Sequence, residues 1–250
     1  MPIELRSNSG ETILTSRILL AGGSGSGKTW VATSFPDVFV IDSDKGLSGA
    51  SHVGRKFSYH TINAYDKAYN EAMEILKAFK AEAEWTKPFK YVVFDSLTSL
   101  SDLMELELVK FPRVGKSADA GEEVMSLPDF RVHRRRIINL MRFAQDLPIS
   151  TIYTVNTNLE KDELTGQIIE SPSVAGRQVP KEMTQLMDEV YYLEYDDQRK
   201  EYVAWTKPHR WFRQGKTRFG LPERVANPVY ATLAPFYVQD GSSIGAPPVA

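Results

Sequence analysis

The chain has 250 residues, of which 42% are hydrophobic and 25% are charged, and its formal net charge is −2 at pH 7. This composition is typical of a folded protein with one large domain and excludes a globally disordered chain. The absence of cysteine excludes disulfides and cysteine-ligated zinc. Because the net charge is small, nucleic-acid binding would depend on local basic patches.

No targeting or membrane segment is predicted. Residues 1–11 lack a basic region followed by an apolar one, and no apolar run approaches the roughly 20 residues of a membrane helix. The histidines are scattered without metal-ligand spacing, at His52, His60, His133 and His209. Because neither a secretory signal nor a membrane helix is predicted, we expect a cytoplasmic protein that does not associate with membranes.

Four short apolar runs predict strands: SRILLAGG (16–23), DVFVID (37–42), KYVVFDS (90–96) and LPISTIYTVN (147–156). Continuous apolar runs favour a parallel sheet that is covered on both faces. Between the runs, one helical face contains Tyr69, Ala72, Met73, Leu76, Phe79 and Ala83, and another contains Leu97, Leu100, Met104 and Leu108. Strands that alternate with helices predict a doubly wound α/β fold.

Two long stretches, 111–129 and 157–180, are predicted to be irregular, and such loops are usually functional or disordered. Residues 189–208 predict a β-hairpin that turns at Asp196 to Arg199. The expected organisation is a short N-terminal segment (1–16), one core (17–238) and an unstructured tail (239–250).

The segment LLAGGSGSGKTW (19–30) matches the P-loop pattern G-x-x-x-x-G-K-[ST], with fixed positions at Gly22, Gly27, Lys28 and Thr29. Glycines let consecutive backbone N–H groups point at phosphate oxygens, and the next helix adds its positive end. Lys28 is expected to reach the β- and γ-phosphates, and the Thr29 hydroxyl is expected to hold Mg²⁺. The predicted ATP-binding residues are Gly22, Gly23, Ser24, Gly25, Ser26, Gly27, Lys28, Thr29 and Trp30.

Aspartates complete the predicted catalytic set. Asp95 ends a strand that we expect beside the P-loop strand, where its carboxylate would serve the metal; the alternative is a cap for the following helix. Ser96 stands where many P-loop ATPases carry a glutamate, so the water-activating base must come from elsewhere. Asp42 and Asp44 follow the second strand, and Asp44 is the predicted base, with a solvated turn residue as the alternative.

The motifs IDSDKGL (41–47) and FDSLTSL (94–100), in this order after the P-loop, resemble those of the RecA-type recombinase ATPases. The resemblance runs from about Arg17 to about Phe219 and is closest to the phage-encoded, core-only single-strand annealing ATPases, which also have few residues before the P-loop strand. It implies a RecA-like P-loop NTPase core, with a mostly parallel sheet flanked by helices and a C-terminal β-hairpin. It also implies ATP and Mg²⁺, single-stranded DNA, a ring or filament of identical subunits, and the cytoplasm of a bacterial host. A single-strand-binding protein and a nuclease are further candidate partners.

The resemblance also assigns roles to further residues. Asn156 stands where the family senses the γ-phosphate, with a strand-end turn residue as the alternative. The family's water-activating residue is usually glutamate, so the shorter Asp44 departs from it and could slow hydrolysis. Lys207 and Arg210 are candidates for reaching into the next subunit's ATP site; without the resemblance they would be an exposed strand end. The long stretches would face DNA through Arg113, Lys116, Lys161, Arg177 and Lys181.

Local charge limits the DNA prediction. Both stretches also carry acids, so solvated loops are the alternative, and we expect modest, salt-sensitive affinity. The most basic run, residues 131–148, predicts a helix whose apolar face contains His133, Ile137, Leu140, Met141 and Ala144. Arg131, Arg135 and Arg142 lie opposite, on a face that is either solvated or in contact with DNA or a neighbouring subunit.

The sequence therefore favours a Mg²⁺-dependent, oligomeric ATPase that binds single-stranded DNA and promotes strand annealing or exchange, with ATP as the assembly switch. The alternatives are a nucleotide-gated DNA-binding or helicase-loading protein with weak turnover, a P-loop small-molecule kinase, and a core-only helicase.

Overall fold

The computed structural model describes residues 15–63, 67–110, 125–161, 166–176 and 178–237. Its strands are β1 (Arg17–Gly22), β2 (Val38–Asp42), β3 (Ser58–Thr61), β4 (Tyr91–Asp95), β5 (Ser150–Lys161), β6 (Ile168–Pro172), β7 (Glu189–Asp196), β8 (Glu201–Trp205) and β9 (Arg224–Ala226). Its helices are α1 (Lys28–Ala32), α2 (Ser48–His52), α3 (Ala68–Lys80), α4 (Leu97–Lys110), α5 (Leu127–Gln145), α6 (Val179–Leu186) and α7 (Tyr230–Tyr237).

The strands form one sheet in the order β3-β2-β4-β5-β1-β7-β8-β9, and β6 pairs with the outer half of β5. The strands from β3 to β7 are parallel neighbours, whereas β8 and β9 add antiparallel. The four predicted strands, the mostly parallel sheet flanked by helices and the C-terminal hairpin are confirmed. One expectation is wrong: the strand that carries Asp95, β4, does not lie beside β1, because β5 is inserted between them.

Both faces of the sheet are covered, as continuous apolar strands predict. Alternate residues of β1 point to opposite faces: Leu19 and Ala21 join the core with α3 to α6, whereas Ile18 and Leu20 join the core with α1 and α7. The predicted apolar faces of α3 and α4 pack on the first core. Two predicted residues are not part of this core: Leu108 is buried outside it, and Ala83 lies beyond the end of α3.

The second predicted irregular stretch is wrong in part. β5 continues to Lys161 and pairs antiparallel with β6, and α6 begins at Val179. The apolar signal ends early because only the first half of β5 is buried, whereas its outer half projects from the core. Of the first stretch, residues 111–124 lie outside the described part of the chain.

The C-terminal hairpin and the arginine-rich helix follow the predictions. β7 and β8 pair across a turn that starts after Asp196. All the predicted apolar-face residues of α5 are buried, whereas Arg131, Arg135 and Arg142 are exposed. Within the described ranges, none of the helices has the length and apolar character needed to cross a bilayer.

Candidate nucleotide-binding site

The glycine-rich loop leaves β1 at the carboxyl-terminal edge of the sheet and leads into α1. One side of the loop is packed: a Cβ on Gly22 would lie 2.3 Å from a backbone oxygen of β7, and one on Gly27 would lie 2.8 Å from the Tyr202 ring. Nothing lies within 4 Å of the same position on Gly23 or Gly25. The loop therefore has a packed side, which only glycine fits, and an open side that exposes backbone.

Lys28 lies inside this loop. Its ammonium donates to the carbonyl oxygens of Gly22 at 2.9 Å and Gly23 at 2.7 Å. Burial lowers the pKa of Lys28, and three carboxylates oppose that shift: Asp95, Asp44 and Glu170. The buried Lys28 thus lies in the electrostatic field of three carboxylates, from β4, from β6 and from the segment after β2.

Asp95 and Thr29 meet at the base of the loop, although β5 lies between β4, which carries Asp95, and β1, which leads into the loop. Asp95 is 2% exposed; its Oδ2 accepts from the Thr29 hydroxyl at 2.8 Å and its Oδ1 from the Thr154 hydroxyl at 2.5 Å. Burial raises the pKa of Asp95, and these two hydrogen bonds oppose the shift. The hydroxyl of Ser96 accepts from the Ser99 amide in the first turn of α4, so the capping role belongs to Ser96.

The two aspartates after β2 have different surroundings. Asp42 is buried, and its carboxylate accepts from the Lys45 amide at 2.7 Å and the Thr61 hydroxyl at 3.0 Å. It therefore holds the strand-end turn and the neighbouring strand β3. Asp44 is exposed and its carboxylate accepts from the Ser99 hydroxyl. Of the two, Asp44 is the one that acts electrostatically on the P-loop lysine.

Glu170 on β6 is a site residue that sequence reasoning missed. Its carboxylate accepts from the Tyr192 hydroxyl at 2.7 Å and from the Thr157 hydroxyl, and it raises the pKa of Lys28. Its backbone amide donates to the Trp211 carbonyl at 2.6 Å. The segment was predicted to be irregular, but the two isoleucines just before Glu170 were a signal for a strand, although not for its position in the sheet.

Asn156 and Trp30 flank the loop on opposite sides. Asn156 on β5 is in register with Gly22, and its backbone N–H donates to the Thr98 hydroxyl at 2.9 Å. Trp30 on α1 packs against Tyr202 of β8 with ring centroids 5.2 Å apart. Both residues therefore lie beside the P-loop.

Lys207 and Arg210 lie in the loop after β8, and both are exposed. The Arg210 guanidinium lies 4.5 Å from the centre of the Trp211 ring. His209, between them, stacks on Tyr192 with a centroid distance of 6.1 Å. Because Tyr192 also donates to Glu170, the exposed loop is anchored on the residues beside the P-loop.

The DNA-contact candidates are only partly described. Lys161 is exposed at the end of β5, and Lys181 is exposed in the first turn of α6. Arg113, Lys116 and Arg177 lie outside the described residues.

A family described as an AAA domain matches residues 15–219, and no curated protein matches the chain. Among solved structures, the chain is similar to the crystal structure of the RadB recombinase, with a TM-score of 0.47 and 16% sequence identity, over 80% of this chain and 84% of that chain. Because the family match includes the P-loop and Asp95 and covers well over half of the sequence, the protein belongs to the AAA domain family.

Proposed function

We propose that the protein is a Mg²⁺-dependent ATPase that binds single-stranded DNA and promotes strand annealing or exchange in homologous recombination. The observation that carries the ATPase part is the convergence of Lys28, Thr29 and Asp95 around the glycine-rich loop. Membership of the AAA domain family supports nucleotide binding. The RecA-type motifs at 41–47 and 94–100 support the other three parts of the proposal. These are the binding of single-stranded DNA, a role in a phage recombination module, and an assembly of identical subunits with ATP between them.

The residues around Asp95 fit a magnesium ion. The Thr29 hydroxyl and Asp95 Oδ2 lie 2.8 Å apart, and both are oxygen ligands of the kind that Mg²⁺ prefers. The hydrogen-bond partners of the buried Asp95 carboxylate are two neutral hydroxyl groups. A bound cation would therefore compensate a negative charge that burial disfavours. When bound, Mg²⁺ would neutralise charge on the β- and γ-phosphates, and Lys28 would add a second positive charge there.

Two carboxylates compete for the role of orienting the attacking water. We propose Asp44 as the base, because its backbone amide lies 3.3 Å from the Asp95 carbonyl oxygen and its side chain is exposed at this edge. Glu170 is held by two hydroxyls and by the loop after β8. We propose that Glu170 positions this loop against the P-loop, with Asn156 placed to sense the γ-phosphate.

Lys207 and Arg210 are proposed to act on the ATP of a neighbouring subunit. Such a finger contributes roughly 10³–10⁵-fold to turnover. Mixing the Lys28→Ala variant with the Lys207→Ala/Arg210→Ala variant should restore part of the activity, because some interfaces then combine an intact ATP site with an intact finger. A mixture no more active than its components would exclude action across an interface.

Steady-state ATP hydrolysis with and without single-stranded DNA tests the proposed function, with Lys28→Ala as the blank. Strong stimulation by DNA, absent in the variant, is the expected result. Turnover that is indifferent to DNA would contradict the proposal and favour a small-molecule kinase, for which an acceptor screen would be the next test.

A nucleotide-gated DNA-binding or helicase-loading protein with weak turnover is the second candidate. Two observations favour it: Asp44 stands where a longer glutamate is usual in RecA-type proteins, and its carboxylate is engaged by Ser99. ATP binding with negligible hydrolysis, with or without DNA, would support this candidate over the first.

A further inference from the structure

Arginines are concentrated on α5. Five of the 15 arginines of the chain lie in its 19 residues. One of them, Arg136, is buried and pairs with Glu107 at 2.8 Å. The exposed ones, together with an exposed asparagine on the same side, form what we call the α5 arginine face: Arg131, Arg134, Arg135, Asn139 and Arg142.

Most of the charge on this face lacks a counter-charge among the residues that the structure describes. Arg134 pairs with Glu182 of α6. For Arg131, Arg135 and Arg142, the described part of the chain provides no carboxylate within ion-pair distance. In a chain whose net charge is −2, three uncompensated guanidinium groups on one helix favour an anionic ligand, and their planar forks suit phosphate.

The shape of the face suits an extended ligand. Arg135 and Asn139 form a ridge with a cleft on each side. One cleft, of about 420 Å³, is lined also by Arg131, Arg142 and residues up to α6. The other, of about 200 Å³, is lined by residues of α3 and α5. Donors on a ridge between two clefts can contact successive groups of a chain that runs along the helix.

The α5 arginine face lies close in the chain to the two stretches, 111–129 and 157–180, that the sequence predicts to face DNA. α5 starts just after residues 111–124, and α6, which carries Lys181, packs against α5. The end of α5 lies at the opposite edge of the sheet, where the Gln145 carbonyl accepts from the Arg17 side chain at 2.7 Å. The α5 arginine face therefore extends from the sheet edge that carries the P-loop toward the opposite edge of the sheet.

We infer that the α5 arginine face binds the phosphate backbone of single-stranded DNA and extends the DNA path beyond the stretches 111–129 and 157–180, which the sequence predicts to face DNA. This inference rests on the proposed function. Contacts to the backbone alone carry no sequence information, so the face should increase affinity and salt dependence without base preference.

The experiment compares single-strand binding at several salt concentrations, using a fluorescent homopolymeric oligonucleotide. The test variant is Arg131→Gln/Arg135→Gln/Arg142→Gln. The control, Lys77→Gln/Lys87→Gln/Lys90→Gln, removes the same formal charge from exposed lysines elsewhere. At roughly 0.7 per phosphate contact, the slope of log affinity against log salt should fall by about two in the test variant and stay near the parent value in the control.

Each outcome has a separate meaning. DNA-independent ATP turnover should not change in the test variant, because none of the three arginines is in the ATP site. If the parent binds the oligonucleotide and the test variant keeps its salt slope, the inference is overturned while the proposed function stands. A variant that keeps its DNA binding but changes its oligomeric state would overturn it in favour of an acidic protein surface. If the parent does not bind single strands at all, the proposed function fails and the DNA-binding face fails with it.

Discussion

Three carboxylates interact electrostatically with Lys28, and they differ in burial and in hydrogen-bond partners. Asp95 is buried between two hydroxyls, Asp44 is exposed beside Ser99, and Glu170 is held by hydroxyls at the start of the β5–β6 hairpin. A group that orients water needs access to solvent, whereas a group that holds other elements in place needs fixed partners. The geometry therefore separates the proposed base from the proposed positioning residue.

Comparison of Asp44→Asn with Glu170→Gln tests this separation. Loss of a general base typically costs 10²–10⁴-fold, so Asp44→Asn should lower kcat by about 10²-fold or more with little change in KM for ATP. Glu170→Gln should leave more of the basal turnover but weaken its stimulation by DNA. Asp197→Asn, in the exposed turn after β7, is the control. A larger loss of basal kcat in Glu170→Gln than in Asp44→Asn would reverse the assignment.

The raised pKa of Asp95 predicts a pH dependence. Burial favours the protonated carboxyl, so as the pH falls Asp95 loses its charge, and with it the metal, at a higher pH than the roughly 3.9 of an ordinary aspartate. Because the Thr154 hydroxyl holds the pKa down, Thr154→Val should raise it and move the acid limb of the kcat/KM profile for MgATP to higher pH. Thr151→Val, earlier on the same strand, should not. Identical acid limbs in parent and Thr154→Val would contradict the account.

At the scale of elements, α4 and α5 are joined by a buried ion pair. Arg136 and Glu107 lie 2.8 Å apart with side chains only 10% and 9% exposed, and the Arg136 guanidinium lies 5.2 Å from the Tyr69 ring. Removing one partner leaves a buried charge unpaired, which costs about 3–5 kcal/mol. Replacing both by apolar residues removes that penalty.

Denaturant unfolding of a double-mutant cycle measures this. Arg136→Met should lower the free energy of unfolding by about 3–5 kcal/mol, and Arg136→Met/Glu107→Leu should recover most of the loss. The exposed neighbour Arg135 offers a control, since Arg135→Met should change stability by no more than about 0.5 kcal/mol. A single variant as stable as the parent would show that the pair does not join the two helices.

The elements show where sequence patterns suffice and where they do not. The buried strands follow from continuous apolar runs and the P-loop from its motif. The apolar face of α5 follows from helical periodicity, which also puts Arg136, three residues after His133, on the buried side. Strand order cannot be predicted in this way, because a local apolar run does not indicate which strands lie beside it in the sheet. The insertion of β5 between β1 and β4 could therefore not be predicted, nor could the placement of Glu170 beside Lys28, which depends on β6 folding back along β5.

At the scale of the whole molecule, β5 connects the candidate ATP site to the stretch 157–180, which the sequence predicts to face DNA. Along this strand, Thr154 donates to Asp95, Asn156 adjoins the first glycine of the P-loop, and Thr157 donates to Glu170. The strand then leaves the core and ends at the exposed Lys161. We propose that a change of phosphate contacts beside Thr154 and Asn156 biases the β5–β6 hairpin and so couples the nucleotide state to DNA binding.

Single-strand affinity in the presence of Mg²⁺ with a slowly hydrolysed ATP analogue, compared with ADP, tests this coupling most directly. Typical coupling free energies predict that the ATP state binds about 5–150-fold more tightly. The Lys28→Ala variant should lose the difference. Equal affinity of the unmodified protein in the two nucleotide states would contradict the account.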